Sequence, residues 1–202
     1  MIHLFALALA FVAAFLRGGR LAQVRSLRLR LGWLVLLSLA LQVAVVYAPP
    51  LQAGGRYQLP AILIVLSYLM LVAAVAPNLQ VPGMKALGIG LLLNFVVIVA
   101  NGGFMPVSPE VASQLGLLPP GIDVELGARL ARSKDILLAP DQTALWVLSD
   151  IFSTSLYLPV KTVFSLGDLV SAVGLFQVIQ RAMLPVKKAV EAQGERLGGL
   201  AS

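Results

Sequence analysis

Long apolar runs constrain this chain more than any other feature. Residues 2–16, 31–48, 59–76, 86–100 and 163–179 are almost wholly apolar. A helix needs about 20 such residues to cross the hydrocarbon core of a bilayer. The 202-residue chain is 59% hydrophobic and 12% charged, against roughly 45–50% and 25% for a soluble domain. A small soluble fold has too little interior to hide that much apolar surface. Barrel strands would alternate apolar and polar residues. These runs are continuous, and a helix pairs its own backbone groups inside lipid. The expectation is an all-α, polytopic transmembrane bundle of five spans at those positions, forming a single membrane domain over 1–202.

The breaks between runs carry the right chemistry. Pro49-Pro50, Pro77-Asn78 and Asn101-Gly102-Gly103 stand where helices must stop. The first run could be mistaken for a signal peptide, but its arginines follow the apolar stretch instead of preceding it. It reads as a retained span lengthened by snorkelling of Arg17 and Arg20.

Charge orients the spans. The net charge is +6, yet few aromatic residues accompany the basic ones, so nucleic acid is not the expected partner. The partners implied are the lipid bilayer and anionic headgroups at the cytoplasmic face. Basic residues favour cytoplasmic loops. Arg17, Arg20, Arg25, Arg28, Arg30, Lys85 and the tail 181–202 then fall inside. Arg56, Arg129, Arg132, Lys134 and Lys161 fall outside. This predicts the cytoplasmic membrane, with the N-terminus out and the C-terminus in.

Residues 101–162 form the one long connection, an outer segment. Ser108-Pro109-Glu110 has the form of a helix start and Gly116 of its end. Leu145, Leu148, Ile151, Phe152 and Leu156 recur at helical spacing between Trp146 and Tyr157. A sixth full span there would put the tail outside, so 144–160 is expected to be an interfacial or re-entrant helix.

Three stretches together resemble a known family: Asn94 with Asn101-Gly102-Gly103-Phe104-Met105-Pro106, then Leu148-Ser149-Asp150-Ile151, then Val163-Phe164-Ser165-Leu166-Gly167-Asp168. Arg17-Gly18-Gly19-Arg20-Leu21 fits as well. The chain resembles a family of small bacterial multi-span membrane proteins classed as a domain of unknown function. The resemblance implies a bacterial membrane protein and no particular activity.

Candidate ligand-binding residues are the polar ones beside or within the runs. Asp150 and Asp168 could bind a cation, carry a proton or hold a headgroup, since ionisable groups in membrane segments are costly and often functional. Ser165-Leu166-Gly167-Asp168 also has the form of a capping box. Asp150 could equally point to water. Asn94 and Asn101 are seven apart on one helical face, where they could meet a ligand or another helix. Asn101-Gly102-Gly103 could form an anion-binding nest or a helix C-cap. Gln42 and Gln177 could meet across the bundle, with Gln180 at the interface. Gly88 and Gly90 suit close packing. His3 reads as a solvated histidine at the outer surface.

No catalytic constellation is visible. Ser165 with Lys161 is the nearest nucleophile–base pairing and the spacing alone is common. The absence of cysteine and the single histidine exclude thiolate and multi-histidine metal sites, and any cofactor is left unknown. The reading is a membrane protein that binds or moves a small molecule, ion or lipid headgroup at its outer face, using Asn94, Asn101, Gly102, Gly103, Asp150 and Asp168. A structural or accessory subunit, with a membrane-protein partner or a second copy, is the alternative. A lipid-modifying enzyme ranks behind both.

Overall fold

The computed structural model describes residues 2–25, 27–118, 125–130, 133–154 and 162–184. Apolar runs become helices α1 (Ile2–Leu16), α3 (Trp33–Tyr47), α5 (Leu59–Val75), α6 (Met84–Ala100) and α8 (Leu166–Met183). One-turn helices α2 (Leu21–Val24) and α4 (Pro49–Gln52) fill the turns before and after α3, and α7 (Pro109–Gln114) lies in the long connection. Proline enters α4 and α5 in the first turn, where a missing N–H costs nothing.

Side-chain contacts set the directions. His3 meets Ser171, Gln180 reaches the Ala10 carbonyl, and the Arg20 amide bonds Met183 O, so α1 and α8 run parallel. Asn94 meets Asp168, while Gly83 abuts Gly174, so α6 runs antiparallel to α8. Gln42 donates to Ser67, and Asn78 grips the Arg30 backbone through both amide atoms, so α3 and α5 are antiparallel. Gln42 therefore finds its partner on α5 and not in Gln177.

The contact between α6 and α8 is backbone on backbone. A Cβ at Gly90 would strike Gly167 O and the Ser171 amide, and one at Gly174 would strike Leu87 N. Small residues allow this approach, in which van der Waals contact and not the hydrophobic effect binds helices together.

Two expectations are corrected. A five-span bundle is not supported: among the described residues, one helix, Leu59–Asn78 at 20 residues, is long and apolar enough to cross a membrane. It is α5 extended by a 3-10 turn over Ala76–Asn78. His3–Leu16, Trp33–Tyr47 and Met84–Ala100 are shorter, because Gly18, Pro49 and the Asn101 turn end them early. Helix α8 carries Asp168, Gln177, Gln180 and Arg181 along its length.

The second correction concerns 144–160. No interfacial or re-entrant helix forms over its described part. Asn101 clamps Ala144 through both backbone groups, Leu145 adopts φ 56°, and Trp146–Leu148 makes a single 3-10 turn. The Asp150 amide then bonds Pro106 O, and Phe152–Ser153 becomes strand β3, antiparallel to β4 (Val163–Phe164). Apolar spacing suited a helix, but side-chain-to-backbone bonds held the chain extended. Leu156, Tyr157 and Lys161 lie outside the described residues, as do Ile122, Arg132 and the tail from 185.

The long connection is folded against the helices. Strand β1 (Met105–Val107) pairs in parallel with β2 (Asp135–Leu137). Phe104, Met105, Ile136 and Leu138 join Val45, Ile64, Tyr68 and Ile98 in one core. Arg129 fastens the assembly, donating to Leu51 O at 2.7 Å and Val45 O at 3.2 Å with its guanidinium 4.7 Å above the Phe104 ring. Ser108 accepts from the Val111 amide and caps α7, as its sequence suggests.

Candidate functional site

The site grows from the start of α8. Ser165 accepts from the Asp168 amide at 3.0 Å, and the Asp168 carboxylate accepts in return from the Ser165 amide, which closes a capping box. This use of the two side chains is local. What extends it is Asn94 of α6: its amide donates to Asp168 Oδ1 at 2.6 Å, and its carbonyl accepts from Ser165 Oγ at 2.8 Å. The three buried side chains thus form a closed ring between two helices. Gly167 makes the ring possible, because a Cβ there would collide with Asn94 Oδ1.

One turn along α8, Ser171 Oγ donates toward the Gly167 carbonyl at 2.8 Å and lies 2.8 Å from His3 Nε2. The same His3 nitrogen is 3.9 Å from Asp168 Oδ1. His3 therefore belongs to the ring's surroundings while its side chain stays 39% exposed. Serine and aspartate meet one nitrogen of the imidazole, whereas a nucleophilic triad needs them on opposite nitrogens.

Strands β1 and β2 bring the second half. The Met105 amide bonds Lys134 O, and Lys134 Nζ donates to Tyr68 Oη of α5 at 2.7 Å. Asp135 follows Lys134 in the chain, and the bond from the Asp150 amide to Pro106 sets Asp150 beside β1. Asp150 is 3% exposed, and its Oδ1 and the Oδ1 of Asp135 are buried without a hydrogen-bond partner.

These charges feel one another. Burial raises the Asp150 pKa well above the ordinary carboxylate range; Asp135 and Asp168 raise it further, and Lys134 opposes them. Burial also raises Asp135, against Lys134. For Lys134, burial disfavours the charge, but Tyr68, Asp168, Asp150 and Asp135 outweigh it and hold the ammonium above the ordinary lysine range. Part of the Lys134 surface stays accessible, while its ammonium bonds the Tyr68 hydroxyl and lies within electrostatic reach of the three carboxylates.

The sequence candidates divide in two. Asn94, Asp168 and Asp150 come together in this cluster. Asn101, Gly102 and Gly103 form the C-terminal turn of α6. The Gly103 amide bonds Ile98 O at 2.8 Å and the Gly102 amide Val99 O at 3.2 Å, with Gly102 at φ 81°. That is a Schellman arrangement, and it turns both amides back onto the helix. Asn101 is fully buried and spends its side chain on Val97 O and Ala144.

Sequence reasoning passed over Tyr68, Asp135 and Ser171, and read His3 only as a solvated histidine and Lys134 only as an outer charge. Signals existed: Tyr68 is a polar ring amid leucines, and Lys134-Asp135 is a charged pair leading into Ile136-Leu137-Leu138. Among the described residues, no group of three His, Asp or Glu side chains is arranged to share a metal ion.

A family model described as a family of unknown function (DUF5317) matches residues 26–180. No curated protein and no solved structure matches the chain.

Proposed function

The chain belongs to that family of unknown function (DUF5317), and from its geometry we propose a membrane-embedded binding protein whose acidic cluster takes up a proton. The observation that carries this is the pair of unpaired buried oxygens, on Asp135 and Asp150, in a cluster of three carboxylates and one lysine. A buried carboxylate oxygen without a donor is costly. A proton relieves that cost without needing further space.

Membrane embedding rests on the outward faces of the helices. Leu4, Phe5 and Leu9 of α1, Leu36 and Leu39 of α3, and Ile62 of α5 are all more than half exposed. Only 39% of the apolar window in Leu59–Asn78 is buried inside the fold, unlike the core helix of a soluble domain. An exposed apolar surface of this extent marks contact with lipid or protein. Charge supports one orientation. The ends of α1 and α8 near Arg17 and Arg181, with Arg20, Arg25, Arg28, Arg30 and Lys85, are basic. The described acids all lie between Glu110 and Asp168. In this reading the basic end faces the cytoplasm and the acidic cluster faces outward.

Infrared titration of the purified protein tests the cluster. A carboxylic C=O band should persist above the ordinary carboxylate range and disappear in Asp150→Asn. A wild-type spectrum with every carboxylate ionised at neutral pH would contradict the proposal.

Stability should follow. Folding raises the Asp150 pKa, so the neutral acid is favoured in the native state. That contribution is fully present below the unfolded value of about 3.9 and is lost as pH rises through the raised folded value. Asparagine mimics the neutral acid at every pH. Thermal unfolding in detergent should therefore show Asp150→Asn gaining on the wild type between acid and neutral pH. Parallel pH profiles would refute this.

A further inference from the structure

A second polar feature lies at the opposite, basic end. A cleft of about 410 Å³ opens where α1 and α8 finish, bordered by Arg17, Gln177, Gln180 and Arg181. Pro82, Phe176 and Leu184 supply an apolar wall. Gln180 is buried, its amide is engaged by Ala10 O at 2.7 Å, and its carbonyl accepts from Arg17 Nη1 at 2.8 Å. Arg17 is thereby held in place through one of its five donors.

No acid borders the cleft among the described residues. Both helices end here in carbonyl-rich C-termini, which repel anions. The positive field therefore comes from the two guanidiniums, whose planar forks match phosphate oxygens. The apolar wall beside them suits the glycerol and upper acyl carbons of a lipid. From this we infer that the cleft binds the phosphodiester headgroup of an anionic phospholipid. The inference rests on the membrane reading above and makes one site of what is otherwise a diffuse attraction of basic residues to the bilayer surface.

Native mass spectrometry of the full chain in mild detergent tests it, with phosphatidylglycerol, phosphatidylcholine and inorganic phosphate as separate probes. Phosphatidylglycerol should bind more tightly than phosphatidylcholine, and inorganic phosphate should displace it only weakly. The double variant R17Q/R181Q should lose about thirtyfold in phosphatidylglycerol affinity, while R17K/R181K, which keeps the charges without the forks, should fall between it and the wild type. Loss of the Arg17–Gln180 bond could itself loosen the fold, so R181Q alone is the second variant. It should lose about fivefold with unchanged thermal unfolding, and K85Q should lose less.

Equal affinity for the two lipids, or unchanged binding in R17Q/R181Q, would overturn the site. Displacement of the lipid by inorganic phosphate at comparable concentration would overturn the lipid assignment in favour of a free anion. Flotation with vesicles separates the two levels of failure. A chain that floats but shows no arginine-dependent preference loses only this site, and a chain that does not float loses the membrane reading with it.

Discussion

Lys134→Met is expected to destabilise the protein by about 1–3 kcal/mol, the usual consequence of leaving a buried polar group without its partner. The lysine is the main cation opposing Asp135 and Asp150, ahead of the N-terminal amine, and it also holds the Tyr68 hydroxyl at 2.7 Å. Without it the carboxylates repel one another in a poorly solvated site. The loss should be largest near neutral pH and shrink in acid, where the carboxylates take up protons. A double variant adding Asp150→Asn should recover part of the stability, because contacting charges are not additive. At the alkaline end, the contribution of Lys134 is lost only as pH rises beyond the unfolded lysine value of about 10.4 and through the raised folded value. Thermal unfolding in detergent reads all three effects. A Lys134→Met protein as stable as the wild type would mean that the ammonium does not neutralise the cluster.

Gly90→Ala should cost about 1–3 kcal/mol or more, the typical penalty of overpacking. The new methyl group would meet backbone, at Gly167 O and the Ser171 amide, and the Ser171 Cβ at 2.7 Å. None of these can swing away as the end of a long side chain would. The change would pry α6 from α8 at the turn where Asn94, Ser165 and Asp168 join. It should therefore also disturb the infrared signature of the cluster. Gly88→Ala is the control within the same helix, since its methyl group would meet only Val75 Cγ1 at 3.0 Å. Gly55→Ala, with nothing within 4 Å, should be near neutral. Equal effects at Gly90 and Gly55 would argue against the close helix contact.

Helices were the legible part of the sequence. Apolar runs closed by proline, glycine and asparagine point to α1, α3, α5 and α6, because a chain with so few polar side chains must pair its own backbone groups. Their number as spans was not legible. Run length counts apolar residues, whereas the helix ends where Gly18, Pro49 or Asn101 turns the chain, and among the described residues only Leu59–Asn78 keeps span length. The capping box at Ser165 and Asp168 was readable because it is local in sequence. Its extension to Asn94 was not, since the partners are 74 residues apart. Apolar spacing misled at Leu145–Phe152, where Asn101 and Pro106 capture the backbone from outside the segment. The partial exposure of His3 was legible, but not its bond to Ser171, which the parallel packing of α1 on α8 creates.

The central proposal is a bilayer-embedded fold with its acidic cluster and its basic cleft on opposite sides. The chain has no cysteine, so single cysteines report their own location. Ser108→Cys, beside the cluster's strands, should react with a membrane-impermeant maleimide in intact cells. Lys85→Cys, at the basic end, should react only after permeabilisation. Labelling of both from the same side, or recovery of the protein away from membranes, would contradict the account.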